Sequence, residues 1–192
     1  MLFRDYISDR FPKKVALGGG LEITLRPLAT ADHGRLLEFF RGVPEGDRLY
    51  LADDVTDAKL IEAWCRNLDF DMVFPLVALV GERIVANSSV HRSKGGWMAH
   101  IGHVRVVVHP QFRGRGIAHC LVKELIEIGT DIGLDKLDAE FMSGQEQQMR
   151  AFEKMVFVQV AELPDHVLDR KNEAHNLIIM TYDLKGETFA VD

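Results

Sequence analysis

The stretch Val106-Val107-Val108-His109-Pro110-Gln111-Phe112-Arg113-Gly114-Arg115-Gly116-Ile117-Ala118 decides how this chain is read. Three successive valines favour a strand. Pro110 interrupts it, and Ile117, Leu121, Leu125 and Ile128 then recur at three- to four-residue spacing, which is helical. The stretch is therefore a strand-to-helix turn. The first N–H groups of a helix have no intrahelical acceptor, and the positive end of the helix dipole lies beside them, so such a turn suits an anion. Gly114 and Gly116 admit positive φ and close approach of a ligand. Arg113 and Arg115 add positive charge. Together these are the features that hold a diphosphate. Spacing excludes two other phosphate motifs. A Walker loop needs Gly-Lys-Ser/Thr after four intervening residues, which is absent. A dinucleotide fingerprint needs a third glycine where His119 stands.

Outward from the turn, the chain reads as alternating strands and helices. Leu21 to Arg26 alternates apolar and polar residues and ends at Pro27, as a strand does. Thr30 and Thr56 are expected to cap two helices, which carry Leu36, Leu37, Phe39 and Phe40, and Leu60, Ile61 and Trp64. Leu76 to Val80 and Arg83 to His91 form a hairpin about Gly81-Glu82. Ala99 to Val108 is the valine-rich strand, and Gly114 to Gly129 the helix after it. Lys136 to Met142 is the next strand. Ser143-Gly144-Gln145-Glu146 has the spacing of a capping box, opening a helix through Met155. Phe157 to Leu163 and Asn176 to Tyr182 close the order β-α-α-β-β-β-α-β-α-β-β. The expected class is α/β (α+β): a mixed, mostly antiparallel sheet of about seven strands flanked by helices. Residues 1–20, ending in three glycines, are expected as an N-terminal extension to a single domain over 21–192.

Composition narrows the class further. The 192 residues are 47% hydrophobic and 27% charged, with two cysteines, too few for a disulfide scaffold. No apolar run approaches the roughly 18 residues of a membrane span, and residues 1–10 lack a signal-peptide core. A reduced, cytoplasmic setting away from membranes is the expectation. The net charge is −6, opposite to that of most nucleic-acid-binding domains, so no nucleic-acid partner is expected. The charge is unevenly divided. From Arg83 through Lys123 there is no Asp or Glu, while that segment holds seven Lys/Arg and five of the eight histidines. An acid-free basic stretch in an acidic chain points to a focused anion site.

Gln111-Phe112-Arg113-Gly114-Arg115-Gly116 resembles the Gln/Arg-x-x-Gly-x-Gly/Ala motif of the GNAT acyl-CoA N-acyltransferases, and the element order matches that fold over about Leu21 to Leu184. The resemblance implies an acetyl-CoA-dependent N-acetyltransferase without a metal. It implies that backbone N–H groups from Arg113 through Gly114, Arg115, Gly116 and Ile117 to Ala118 hold the coenzyme A diphosphate. Val106, Val107 and Val108 would pair with the pantetheine arm like an added strand. Later positions depart from the family pattern. Gln145 and Phe152 stand where the family carries an Asn and a Tyr that face the coenzyme, Gln148 replaces an Ala, and Val156 replaces the Gly before Phe157. The Tyr is often assigned as the acid that protonates the departing thiolate. Phenylalanine cannot donate a proton, although a thiolate of pKa about 8.5 leaves reasonably well unaided.

The implied reaction is direct attack of a primary amine on a thioester. A lysine-like amine has a pKa of about 10.4, so a base assists it. Many members place a Glu early in the long strand, where His103 stands here. A histidine suits base chemistry near neutral pH, which makes His103 the candidate general base and His100 the alternative. Three residues apart on a strand, the two face opposite sides, which also argues against a metal pair. A backbone N–H near Val106 is the family's usual oxyanion donor. His91 and Ser93 on the preceding strand are further polar candidates to line the acceptor groove, and Glu140 on the fifth strand reads equally as a solvated residue. The acceptor is left open among a small amine, an amino acid and a protein lysine. A non-catalytic acyl-CoA-binding module is the alternative function, and homodimers are common in such folds.

Overall fold

The computed structural model describes residues 7, 9–51 and 53–186. Its sheet has eight strands in the order β1-β2-β3-β4-β5-β6-β8-β7. They are β1 (Lys13–Leu17), β2 (Leu21–Pro27), β3 (Val73–Val80), β4 (Arg83–His91), β5 (Ile101–Val108), β6 (Lys136–Met142), β7 (Val158–Leu168) and β8 (Ala174–Asp183). Every neighbouring pair is antiparallel except β5 and β6. The helices are α1 (His33–Arg41), α2 (Glu45–Arg48), α3 (Ala58–Arg66), α4 (Ile117–Asp131) and α5 (Glu146–Glu153). The mixed, mostly antiparallel class is as expected, with one strand more than the expected seven. The additional strand, β1, runs back along β2 from Leu17↔Leu21 to Lys13↔Leu25. Its Val15 and Leu17 pack against the larger core.

The sheet separates two apolar layers. Ile117, Leu121, Leu125 and Ile128 of α4 face Leu25, Leu76, Val90, Val104 and Leu137 on one side. Leu36, Phe39 and Phe40 of α1 and Ile61 and Cys65 of α3 face Val77, Leu79 and Ile84 on the other. The three- to four-residue spacing in α4 thus becomes one buried stripe. No helix among the described residues is long and apolar enough to cross a membrane.

Several helix starts differ from expectation. Thr30 to Asp32 forms a short 3-10 turn, and Asp32 accepts the Ala29 N–H and both Nη groups of Arg26, which fastens β2 to α1. Asp57, not Thr56, caps α3 by accepting the Lys59 N–H, while the Thr56 hydroxyl donates to Asp54. The capping box before α5 does not form. Ser143 Oγ instead accepts the Asn176 N–H from β8, a tertiary contact that local spacing does not encode.

Candidate functional site

The site is built around the one parallel pair. β5 and β6 pair only from Ile101↔Lys136 to Val104↔Ala139. Beyond that point β5 continues to Val108 with β4 as its partner, and β6 continues to Met142 with β8. Two strand edges, about Arg105–Val108 and Glu140–Met142, therefore diverge unpaired. A wedge of this kind exposes backbone donors and acceptors to an extended ligand arm. Val106, Val107 and Val108 form its β5 wall.

The glycine turn lies at the end of that wall. Pro110 to Phe112 makes a 3-10 turn, and Gly114 and Gly116 take φ of 72° and 84°. Gly116 is the N-cap of α4, so the helix starts at Ile117, three residues later than expected. The first intrahelical bond joins the Cys120 N–H to the Gly116 carbonyl at 3.0 Å. The N–H groups of Ile117 and Ala118 precede that bond and have no intrahelical acceptor. The two arginines of the turn part company. Arg113 donates to the Val108 carbonyl at 3.0 Å and to Asp47 of α2 at 2.7 Å, so its side chain braces the turn. The guanidinium of Arg115 lies 5.7 Å from the centroid of the Phe112 ring.

His103 stands where β5 and β6 begin to part. It is paired with His91 across β4 and with Asp138 across β6, and so these three share one sheet face. Its Nδ1 lies 3.9 Å from Glu140 Oε1, on the same face, and both side chains are partly exposed. The Asp138 carboxylate accepts the Thr181 hydroxyl at 2.6 Å. His91 is 2.8 Å from the Ser89 hydroxyl. Burial, with the nearby charges of Arg105 and His103, pushes His91 down to about 4, although Asp53 acts in the opposite sense. His100 precedes β5, and its carbonyl accepts the Asp135 N–H at 2.8 Å.

The two residues at and in α5 expected to face the coenzyme make contacts within the protein. Gln145 Oε1 accepts the Met142 N–H at 2.8 Å and closes the turn after β6. Phe152 is 7% exposed and packs edge-on against Phe141 and Phe157, with centroids 5.1 and 4.9 Å away. Its ring belongs to the core. Val156, in the place of a glycine, takes φ of 68°.

Sequence reading assigned no role to Asp47, Tyr50 or Asp54, which the fold brings to the same end of the sheet. The Tyr50 hydroxyl lies 3.0 Å from where a Cβ at Gly144 would stand. Asp54 pairs with Arg170 at 2.8 Å, and the Arg170 and Thr56 hydrogen bonds hold its carboxyl well below the usual range. These contacts bind the α2–α3 segment to the β7–β8 turn. Tertiary pairings of exposed charges leave no local sequence signal. Ligand atoms of Asp169, Glu173 and His175 also lie within 4.8 Å of one another. There the Asp169 carboxylate accepts the N–H groups of Lys171 and Glu173, the pattern of a turn.

Comparison with known proteins agrees with this geometry. The chain is similar in structure to the GNAT domain of S. lividans PAT, with a TM-score of 0.76 at 20% identity over 89% of this chain and 96% of that one. A ribosomal-protein-alanine N-acetyltransferase from Brucella melitensis matches with a TM-score of 0.71 at 22% identity, over 83% and 98% of the two chains. The acetyltransferase yncA from Salmonella typhimurium, described as putative and solved with acetyl-CoA, matches with a TM-score of 0.72 at 19% identity, over 88% and 98%. No curated protein matches the chain in sequence. The model of the acetyltransferase (GNAT) family matches residues 35–157, well over half of the chain. The wedge, the glycine turn and this match place the chain in the GNAT acetyltransferase family.

Proposed function

We propose that the protein is an acetyl-CoA-dependent N-acetyltransferase that moves the acetyl group to a primary amine by direct attack on the thioester. The observation that carries this reading is the parting of β5 and β6 after Val104 and Ala139, with the glycine turn at the end of the wedge. The N–H groups from Gly114 to Ala118 would take the diphosphate, the Arg113 N–H being held instead by the Pro110 carbonyl at 3.2 Å, and the β5 edge from Val106 to Val108 the pantetheine arm. The thioester would then lie near the narrow end of the wedge, close to the Val106 N–H, which would stabilise the tetrahedral oxyanion.

In this reading His103, whose Nδ1 lies 3.9 Å from Glu140 Oε1, takes the proton of the attacking amine. Nitrogen then bonds to the carbonyl carbon, collapse of the intermediate breaks the C–S bond to release the coenzyme thiolate, and the second proton of the nitrogen passes to solvent. Phe152 has no proton to give, so the thiolate leaves unassisted by that position. Asp53, whose charge acts on His91, and Glu140 favour a cationic amine on this face. A small amine, an amino acid and a protein lysine all meet that requirement. A reducing cytoplasmic setting belongs to the same proposal and is supported by the free thiols of Cys65 and Cys120.

The test is incubation of the protein with acetyl-CoA and a panel of amines, following thiol release and acetylated product. Turnover with one amine class is expected. The burial of Phe152 favours a second reading, a non-catalytic acyl-CoA-binding module. Tight coenzyme A binding by calorimetry, without turnover over the whole panel, would decide for that module.

A further inference from the structure

His109 lies immediately before the glycine turn and is 5% exposed. Its N–H donates to the Val85 carbonyl at 2.9 Å, and its own carbonyl accepts the Phe112 N–H at 2.9 Å. Its Nδ1 accepts the Gln111 N–H at 3.3 Å, which makes it the side-chain cap of the 3-10 turn Pro110–Phe112. On the other side of the ring, Nε2 lies 3.1 Å from Arg83 Nη2 of β4. Arg83 also donates to Gln111 at 3.4 Å, and its guanidinium lies 5.6 Å from the Phe112 ring centroid. The C-terminal end of α1 closes the cage. A Cβ at Gly42 would stand 2.6 Å from Nε2, so the helix reaches the ring only because position 42 has no side chain.

Donors therefore face both ring nitrogens. A neutral imidazole offers one lone pair and takes one of them, while an imidazolium offers none. Burial and the charges of Arg83 and Arg113 all oppose protonation. Gly42 and Phe39, which α1 sets against the ring, carry no charge. A leucine would fill the same space without an acceptor. The histidine is thus distinguished by its lone pair, and the groups competing for that lone pair belong to the turn and to the arginine that braces it.

We propose that His109 is a positioning residue for the coenzyme turn. Its neutral ring shapes Pro110–Phe112, so that the N–H groups from Gly114 to Ala118 point at the diphosphate, and it keys the turn to α1 and β4. The proposal rests on the reading of this turn as the coenzyme site.

Calorimetry with coenzyme A on the full chain tests it, using wild type, His109→Leu, His109→Asn and Gly42→Ala. His109→Leu should weaken coenzyme A about tenfold, the scale of a lost cap. His109→Asn, whose side-chain carbonyl can accept the same Gln111 N–H, should bind within about threefold of wild type. Gly42→Ala displaces the ring from the side away from the turn and should also weaken binding. In the transfer assay, the KM for acetyl-CoA should rise in the Leu variant with kcat retained. A folded His109→Leu that binds coenzyme A as tightly as wild type overturns the proposal, even if it melts earlier. An Asn variant as weak as the Leu variant overturns it too. If His109→Leu does not fold, unchanged affinity in Gly42→Ala overturns it. A wild-type protein that does not bind coenzyme A refutes the reading of the site itself, and this proposal with it.

Discussion

At the scale of single residues, His103 carries the most specific chemical claim. It stands at the narrow end of the wedge beside Glu140, whereas neighbouring His91 is pushed down to about 4 by burial and by the charges of Arg105 and His103. His91 is thus neutral through the range in which an ordinary histidine titrates. Its folded pKa is lowered, so the stability it permits is full above its unfolded pKa of about 6.5 and declines as pH falls toward 4. A steady-state comparison should show His103→Ala losing about 100-fold in kcat with the acetyl-CoA KM little changed. His91→Ala should not reproduce that split. Val156 supports a prediction about stability. A β-branched side chain at φ of 68° is strained, and the residue is 71% exposed, so little burial offsets the strain. Val156→Gly should raise stability by about 1 kcal/mol in denaturant unfolding. The sequence marked this position as the usual glycine of the family, but not that the valine would keep the glycine's backbone shape.

At the scale of elements, the glycine turn was the most legible feature because its signals are local. Valines, proline and two glycines define a strand, a stop and a helix start without reference to the rest of the chain. Gly116→Val tests it, since φ of 84° is costly for a β-branched residue. The acetyl-CoA KM should rise at least about tenfold, and an unchanged KM would show that the turn does not hold the coenzyme. Other elements were hidden because their reasons are tertiary. β1 has two leading lysines and gains its burial only from the core it joins. β7 passes Pro164 and Asp165, which resemble a loop, through an irregularity: its register with β8 breaks between Leu163 and Val167, and Asp165 takes φ of 49°. The Arg26–Asp32 pair illustrates how elements are fastened. Burial alone would raise the Asp32 carboxyl, but hydrogen bonds from Arg26 and Ala29 and the charges of Arg26 and Arg35 outweigh it and hold it low. Asp32→Asn should cost about 2–3 kcal/mol in denaturant unfolding near neutral pH. Because the folded pKa is depressed, that contribution is present above the unfolded value of about 3.9 and is lost as pH falls through the folded one. The gap between wild type and Asp32→Asn should therefore close in acid, and a gap constant down to pH 2 would contradict the assignment.

At the scale of the whole molecule, the net charge of −6 resolves into a basic middle and an acidic remainder. The acid-free segment from Arg83 to Lys123 supplies β4, β5, the turn and the start of α4, so it forms one wall of the wedge. Acidic residues from the α2–α3 segment reach across to it, with Asp47 on Arg113 and Asp53 acting on His91. The turn proposed for the coenzyme was legible because its glycines and helix start are local signals. The residues proposed to face the acceptor were not, because they come from segments far apart in the chain and meet only in the fold. The central claim is that coenzyme A lies in the wedge between β5 and β6. A crystal structure of the protein with coenzyme A tests it most directly. The diphosphate is expected on the N–H groups from Gly114 to Ala118, and the pantetheine arm beside Val106–Val108 with its sulfur near His103. Coenzyme A bound elsewhere, or a wedge closed by pairing of Arg105–Val108 with Glu140–Met142, would contradict it.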